Sequence, residues 1–137
     1  MVVTEYRQLY TQRHHYDSSN AITVPATLSS DKKLHVDLLG KLDTGSSFCV
    51  FEKAYADLLG LDPGSGLNQR ISTVTGTFDV AGYAVTLSAF GYEWEVFAYF
   101  AKDEMFVLNV LGRVGFLDHL RVGIVDYERL LYCGLYQ

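Results

Sequence analysis

A run of four residues, Asp43-Thr44-Gly45-Ser46, carries the strongest chemical signal in this sequence of 137 residues. An apolar stretch leads directly into the carboxylate, a hydroxyl follows, and the glycine then allows the backbone to turn tightly and approach the carboxylate. The run therefore predicts a loop that holds a buried acid. In ATPases that form an aspartyl phosphate, a lysine directly follows the aspartate that accepts the phosphoryl group. Here Thr44 occupies that position. A phosphoryl-acceptor role for Asp43 is thereby excluded.

The other aspartates lack these surroundings, since the Asp-Thr-Gly triplet occurs once in the sequence. Asp126 lies in Gly-Ile-Val-Asp-Tyr-Glu next to a predicted turn, and we interpret it as a solvated turn acid. Asp37, Asp79 and Asp118 do not stand in the motif either. One chain therefore supplies one aspartate of this kind.

The cysteines and histidines suggest neither a metal site nor a cofactor. Cys49 and Cys133 are too few for a disulfide scaffold and have no C-x-x-C spacing, so we predict buried free thiols. The four histidines are scattered apart from one adjacent pair, whose side chains would point apart on a helix or strand. We interpret them as solvated: His14, His15, His35 and His119.

Composition and charge indicate an ordinary folded domain. The chain is 49% hydrophobic and 20% charged, with 2 prolines and a formal net charge of −5. This length predicts one domain, and the acidic balance argues against nucleic acid and anionic membranes as partners. Because the sequence shows neither a membrane helix nor a signal peptide, we expect a cytoplasmic protein.

A predicted β-hairpin leads into the acid. Apolar and polar residues alternate over residues 21–28, a polar turn follows at 29–33, and the alternation then resumes as far as Leu42. Pro25 has no backbone N–H, which predicts a strand that lies at an edge or has one side free.

The remaining pattern predicts a mostly β fold with one or two short helices. Residues 52–60 have the spacing of one short helix that ends at a glycine. Between residues 70 and 136, β-branched and aromatic residues punctuated by glycines predict further hairpins. Residues 1–20 are polar and have no clear period, so they are predicted to form an extension of uncertain order before a domain over 21–137. That extension is either loosely ordered or packed on a partner subunit.

Over residues 21–136 the sequence resembles the retropepsin-like aspartic peptidases. The resemblance rests on four features in order: the apolar strand entering Asp43-Thr44-Gly45-Ser46; the short helix and loop after it; the glycine-containing hairpin from Ser72 to Phe78 at the place of the family's flap; and Val110-Leu111-Gly112-Arg113, followed by Gly115-Phe116-Leu117-Asp118 and a terminal strand pair. It implies a single-domain closed β-barrel that forms a homodimer. The two Asp43 carboxylates, one per subunit, would then share one site.

The resemblance also assigns roles to the loop residues. Asp43 would be the catalytic acid and base, alternating between the two subunits. Thr44 would donate its hydroxyl across the twofold axis, and Gly45 would offer its backbone N–H to the carboxylate. Ser46 would hydrogen-bond the outer carboxylate oxygen and favour its ionised form.

Three further assignments are less direct. Gly112 would belong to a segment that packs under the active-site loop, with an ordinary turn glycine as the alternative. Arg113 corresponds to an arginine that, in viral members, pairs with an aspartate shortly after the triplet, but here the first acid after Asp43 is Glu52. Residues 75–77 would form the flap tip, with an ordinary hairpin as the alternative: Thr75, Gly76 and Thr77.

Two functions remain open at this stage. The first is a homodimeric aspartic endopeptidase that binds an extended peptide in an apolar cleft and needs no cofactor. The second is a dimer of the same fold that binds peptides or serves as an assembly module without efficient turnover. The intact Asp-Thr-Gly-Ser run favours the enzyme, because a binding module has no evident need for a desolvated acid pair.

Overall fold

A computed structural model of the chain describes residues 10–17, 20–73 and 76–136. The described part is mostly β. Its strands are β1 Gln12–His15, β2 Thr23–Ser29, β3 His35–Leu42, β4 Val50–Phe51, β5 Leu67–Thr73, β6 Gly76–Ala89, β7 Tyr92–Ala101, β8 Val110–Leu111, β9 Leu120–Val125 and β10 Leu130–Leu135. Its helices are α1 Lys53–Leu58 and two 3-10 turns, Leu117–His119 and Asp126–Glu128.

The described strands form two sheets. The larger has the strand order β2-β3-β8-β4-β7-β6-β5, and an additional pairing of β2 with β6 curls it back on itself. The smaller has the order β1-β10-β9. The mostly β architecture with few short helices confirms the fold class predicted from the alternation of apolar and polar residues.

The hairpin that leads into the loop forms as predicted. β2 and β3 pair antiparallel, and the exposed and buried residues of β3 alternate strictly over its second half. Pro25 pairs with Leu39, whereas β6 contacts β2 only at residues 27–29. Helix α1 ends before Gly60, whose φ of 68° lies in the left-handed region that favours glycine.

The core lies between the curled sheet, α1 and the 3-10 turn at Leu117–His119. Its largest fully buried side chains are aromatic: Phe51, Phe100 and Phe116. Cys49 and Cys133 are both buried and free, as predicted. Within the described ranges, no helix is long and apolar enough to cross a membrane.

Part of the predicted N-terminal extension is a strand of the smaller sheet. β1 pairs antiparallel with β10, and Tyr16 after it is only 2% exposed. Tyr16 donates its hydroxyl to Asp126, and burial, followed by this carboxylate, raises the pKa of Tyr16 to about 12. His14 is half-buried, with Nε2 2.9 Å from the carbonyl oxygen of Thr23. Asp126 is an exposed turn acid as interpreted, although it accepts this bond from Tyr16, whereas the interpretation of His14 as solvated was wrong, because its ring lies against Phe90.

Candidate active site

The loop after β3 is a tight turn built from its own backbone. Asp43 donates its N–H to the carbonyl oxygen of Leu111 at 3.0 Å, and Ser46 donates its N–H back to the carbonyl oxygen of Asp43 at 3.2 Å. The first bond fixes the end of β3 against β8, and the second closes the turn. Together they fix the backbone from which the Asp43 side chain projects.

The Asp43 carboxylate is held by the glycine of the motif. Gly45 donates its N–H to Oδ1 of Asp43 at 2.9 Å. A Cβ atom at Gly45 would lie 3.2 Å from the same oxygen, so the missing side chain permits this close approach. The predicted contact between Gly45 and the carboxylate is therefore present. Asp43 is half-buried in the single chain rather than buried, because a wide cleft opens above it.

The segment that starts with β8 supports this loop from below. Arg113 donates its N–H to the carbonyl oxygen of Ser46 at 2.9 Å, and Val114 donates its N–H to that of Ser47 at 2.8 Å. A Cβ atom at Gly112 would lie 2.2 Å from the carbonyl oxygen of Phe48, a distance that no side chain can occupy. Gly112 is therefore a close-approach glycine under the loop and not an ordinary turn glycine.

Ser46 makes a different contact from the one that the resemblance implied. Its hydroxyl donates to the carbonyl oxygen of Phe48 at 2.8 Å. A serine hydroxyl has one proton to donate, so in this arrangement it does not also donate to the Asp43 carboxylate. The role predicted for Ser46 is corrected: it braces the loop backbone beyond the turn.

Thr44 and Arg113 lie on the outer side of the loop. Both line a crevice of about 570 Å³, together with Ser47, Val114, Leu117 and Asp118. Thr44 is exposed. Its predicted hydrogen bond across a dimer axis needs a second chain and therefore stays a prediction. Among the described residues of the single chain Arg113 makes no ion pair.

Above the carboxylate lies a cleft of about 900 Å³. Asp43 and the loop after it form its floor, the β5–β6 hairpin supplies Ile71 and Phe78, and a segment before β8 supplies Phe106. The rings of Phe78 and Phe106 meet edge to face with centroids 5.1 Å apart. The lining is mainly apolar, and among the described residues Asp43 is the only carboxylate in it.

The hairpin predicted as the flap stands over this cleft. Thr77 pairs with Ser72, and Gly76 pairs with Thr73, at the start of β6. Thr75 lies outside the described residues. The hairpin is thus present opposite Asp43, and assignment of its tip as a mobile flap stays a prediction.

Several residues of the cleft were not predicted from the sequence. Lys41 lies two positions before Asp43, where strand alternation places it on the same side, so this residue was open to prediction. The segment from Met105 to Leu108 has neither helical nor strand spacing, and no sequence signal connected it with the cleft. Within the described ranges, no group of three or more His, Cys, Asp or Glu residues is placed to hold a metal ion.

Two solved proteases resemble this chain in structure. A retropepsin-like aspartic protease from Rickettsia conorii has a TM-score of 0.65 and 18% identity, covering 88% of this chain and 96% of that chain. EIAV protease complexed with the inhibitor HBY-793 has a TM-score of 0.55 and 21% identity, covering 73% of this chain and 88% of that chain. No protein-family model and no curated protein matches the sequence. The chain has the retropepsin-like fold that its motifs predicted, and at these identities the likeness shows the fold alone.

Proposed function

We propose that this chain is an aspartic endopeptidase that acts as a homodimer, with one Asp43 from each subunit in a shared site. One observation carries the proposal: a single carboxylate, held by the N–H of Gly45, lies on the floor of a mainly apolar cleft of about 900 Å³. The retropepsin-like fold supports the assignment.

The dimer follows from the chemistry. Hydrolysis of a peptide bond needs a base for the attacking water and an acid for the carbonyl oxygen at the same moment. Two adjacent carboxylates meet both needs, because like charges at about 3 Å do not both ionise and the pair keeps one proton. The described part of one chain brings a single carboxylate, that of Asp43, to the cleft. A second copy, related by a twofold axis through the site, supplies the other.

The proposed reaction uses this shared proton. The ionised Asp43 takes a proton from water as the water oxygen bonds to the peptide carbon, and the protonated Asp43 gives its proton to the carbonyl oxygen. The tetrahedral intermediate then breaks its C–N bond as the nitrogen receives a proton from the first carboxyl. As the C–N bond breaks, one hydroxyl of the intermediate returns its proton to the second carboxylate, so the products are a carboxyl terminus and an amine and the pair again holds one proton. The titration belongs to the pair and not to either residue.

Other residues of the loop take supporting roles in the proposed dimer. Thr44 is exposed beside the crevice and is free to bond across the axis. Arg113, without an ion pair in the described chain, lies in the same crevice and is available for contact with the partner subunit. An extended peptide in the cleft would pair its backbone with nearby strands and place apolar side chains against the lining. We propose a cytoplasmic location, where buried thiols such as Cys49 and Cys133 stay reduced.

The test is cleavage of an unfolded protein substrate at about pH 5, where a carboxyl pair that shares one proton is active. Asp43→Asn should lower the rate about 1000-fold or more, because the pair loses its base. Asp37→Asn is the matched control, since Asp37 is exposed on β3 and bonds only the Thr27 hydroxyl, at 2.7 Å. Equal cleavage by the wild type and Asp43→Asn would overturn the assignment, and absence of cleavage by the wild type would favour the peptide-binding module.

A mixing experiment tests the shared site separately. Asp43→Asn chains added to wild-type chains in equal amount should leave about a quarter of the dimers with two intact carboxylates. Activity per wild-type chain should then fall to about half. Activity that stays proportional to the wild-type chains present would contradict a site built from two subunits. Dilution gives a second measurement, because a dimeric enzyme loses specific activity below its dissociation constant.

A further inference from the structure

Lys41 places a positive charge beside the acid. It lies on the exposed face of β3, two residues before Asp43, and lines the same cleft. Its backbone is fixed on both sides: Lys41 pairs with Thr23 on β2 and with Val110 on β8, and its N–H donates to the carbonyl oxygen of Asn109 at 2.7 Å. The lysine side chain therefore extends from a rigid strand into the cleft.

The ammonium group of Lys41 has no partner in the described structure, in contrast with two other cations, Arg70 and Lys53. Arg70, which also lines the cleft, bonds Asp79 with Nε 3.1 Å from Oδ1. Lys53 bonds Asp57 with Nζ 3.2 Å from Oδ2. Within the described ranges no ion pair or side-chain hydrogen bond involves Lys41, and Asp43 lies beyond ion-pair distance of it.

We propose that Lys41 makes the cleft select peptides with an aspartate or glutamate close to the cleaved bond. This inference rests on the proposed function and names its substrate class. The charges in the cleft lining support this inference. Among the described residues two cations, Lys41 and Arg70, and one carboxylate line the cleft, and the carboxylate, Asp43, is assigned to the proposed reaction. Arg70 already pairs with Asp79, so within the described ranges Lys41 is the cation of this lining that has no ion pair.

Strand geometry limits where the acidic residue sits. Residues two apart on a strand are separated by about 6.7 Å, and an extended peptide advances about 3.3 Å per residue. A lysine two positions from Asp43 thus meets a peptide side chain within about two residues of the scissile bond. Leu108 and Val110, which line the same cleft, are apolar and carry no charge that would compete with Lys41 for an acidic side chain.

Binding to the Asp43→Asn protein tests the inference without turnover. The probes are two fluorescent peptides with the same apolar sequence, one carrying glutamate and the other glutamine at a position next to the bond. The glutamate peptide should bind about threefold to tenfold more tightly, and raising NaCl from about 50 to about 500 mM should reduce this preference. Lys41→Met in the same background should abolish the preference, and Lys41→Glu should reverse it, so that the glutamine peptide binds more tightly.

Lys33→Met is the matched control, because Lys33 lies in the turn before β3 and outside the cleft lining. It should keep the glutamate preference. Equal binding of the two peptides by the wild-type Lys41 protein, or no peptide binding, would overturn the inference. A change of dimer dissociation in Lys41→Met without any change of peptide preference would also overturn it, because Lys41 would then face the partner subunit. Peptide cleavage that depends on Asp43 but ignores Lys41 would leave the proposed function standing and reject this inference alone.

Discussion

The two sides of the cleft are held in different ways. The loop from Asp43 to Phe48 receives backbone hydrogen bonds from the segment after β8, and Gly112 packs directly against it. The β5–β6 hairpin opposite is a two-stranded projection at the edge of the sheet, because β5 pairs with β6 alone among the described strands. The residues of β5 from Leu67 to Arg70 are exposed. The side with Asp43 is held by backbone hydrogen bonds from a second segment. The side that would cover a peptide is held mainly by the pairing of β5 with β6.

This difference suits two tasks of the homodimeric peptidase that we propose, which are to fix the carboxylate and to admit a peptide. A carboxylate that must meet its symmetry mate needs a position fixed within a fraction of an ångström, and backbone bonds from two segments supply this. A hairpin that admits a long peptide must open, and elements with few buried contacts open at low free-energy cost. The comparison predicts that substitutions under the loop change stability strongly, whereas substitutions in the hairpin change peptide handling more than stability.

The largest effect is expected at Gly112. In Gly112→Ala the added Cβ meets the carbonyl oxygen of Phe48 at 2.2 Å, and backbone on both sides leaves little room to relax. Stability should fall by about 3 kcal/mol, and activity should be lost with it. Urea unfolding followed by circular dichroism gives the free energy.

Gly64→Ala is the control for this change. Its Cβ would meet only a carboxylate oxygen of Asp62, at 3.6 Å, in an exposed loop. It should change stability by less than about 0.5 kcal/mol. A Gly112→Ala protein as stable as Gly64→Ala would show that the loop is not held from below.

The next effect concerns the hairpin. Phe78→Ala removes the edge-to-face contact with Phe106, which joins the hairpin to the other wall of the cleft. Stability should fall by only about 1 kcal/mol, while kcat/KM for an apolar peptide should fall about tenfold, mostly through a higher KM. Leu39→Ala on β3 is the control, since Leu39 is 62% exposed and outside the cleft lining. A loss of stability as large as that of Gly112→Ala would abolish the distinction between the two sides.

A smaller effect is expected at Ser46. Ser46→Ala removes the hydroxyl that bonds the carbonyl oxygen of Phe48, and stability should fall by about 1 kcal/mol. The pH dependence of kcat/KM should stay unchanged, because the hydroxyl does not reach the acid. Ser47→Ala in the same loop should be neutral, since no side-chain hydrogen bond of Ser47 is present in the described structure. If the acidic limb of the kcat/KM profile shifted in Ser46→Ala, the Ser46 hydroxyl would contact Asp43 as the resemblance implied.

The effect that is smallest at neutral pH, and grows only in alkaline solution, is a pH dependence of stability beneath the loop. Burial raises the pKa of the Cys49 thiol to about 11 from its ordinary value of 9.0. Between these values only the unfolded chain releases the thiol proton, so stability falls as pH rises, by about 1 kcal/mol per pH unit. Urea unfolding between those two pH values should show a shallower decline in Cys49→Ala than in the wild type. Equal declines would mean that the thiol is accessible and the packing under the loop is loose.

Much of the fold was predictable because its signals are local. Alternation over residues 21–28 and up to Leu42 gave the hairpin that carries the acid, and the short helix ends before Gly60 as its sequence indicates. The strand at Gln12–His15 was not predicted, because four polar residues have no apolar face to reveal a strand. They pair with β10 through backbone bonds, which leave no trace in side-chain pattern.

The sequence by itself determined the acid and its turn. Asp43, the close approach of Gly45 and the mostly β scaffold follow from residue identity and spacing, because a carboxylate, a missing Cβ and strand alternation act within a few residues along the chain. Only the tertiary structure decided that Ser46 bonds Phe48 and that the Met105–Leu108 segment faces the cleft. The Met105–Leu108 segment is far from Asp43 in sequence and reaches the cleft only through packing, and the Ser46 hydroxyl takes whichever acceptor the folded loop brings within reach.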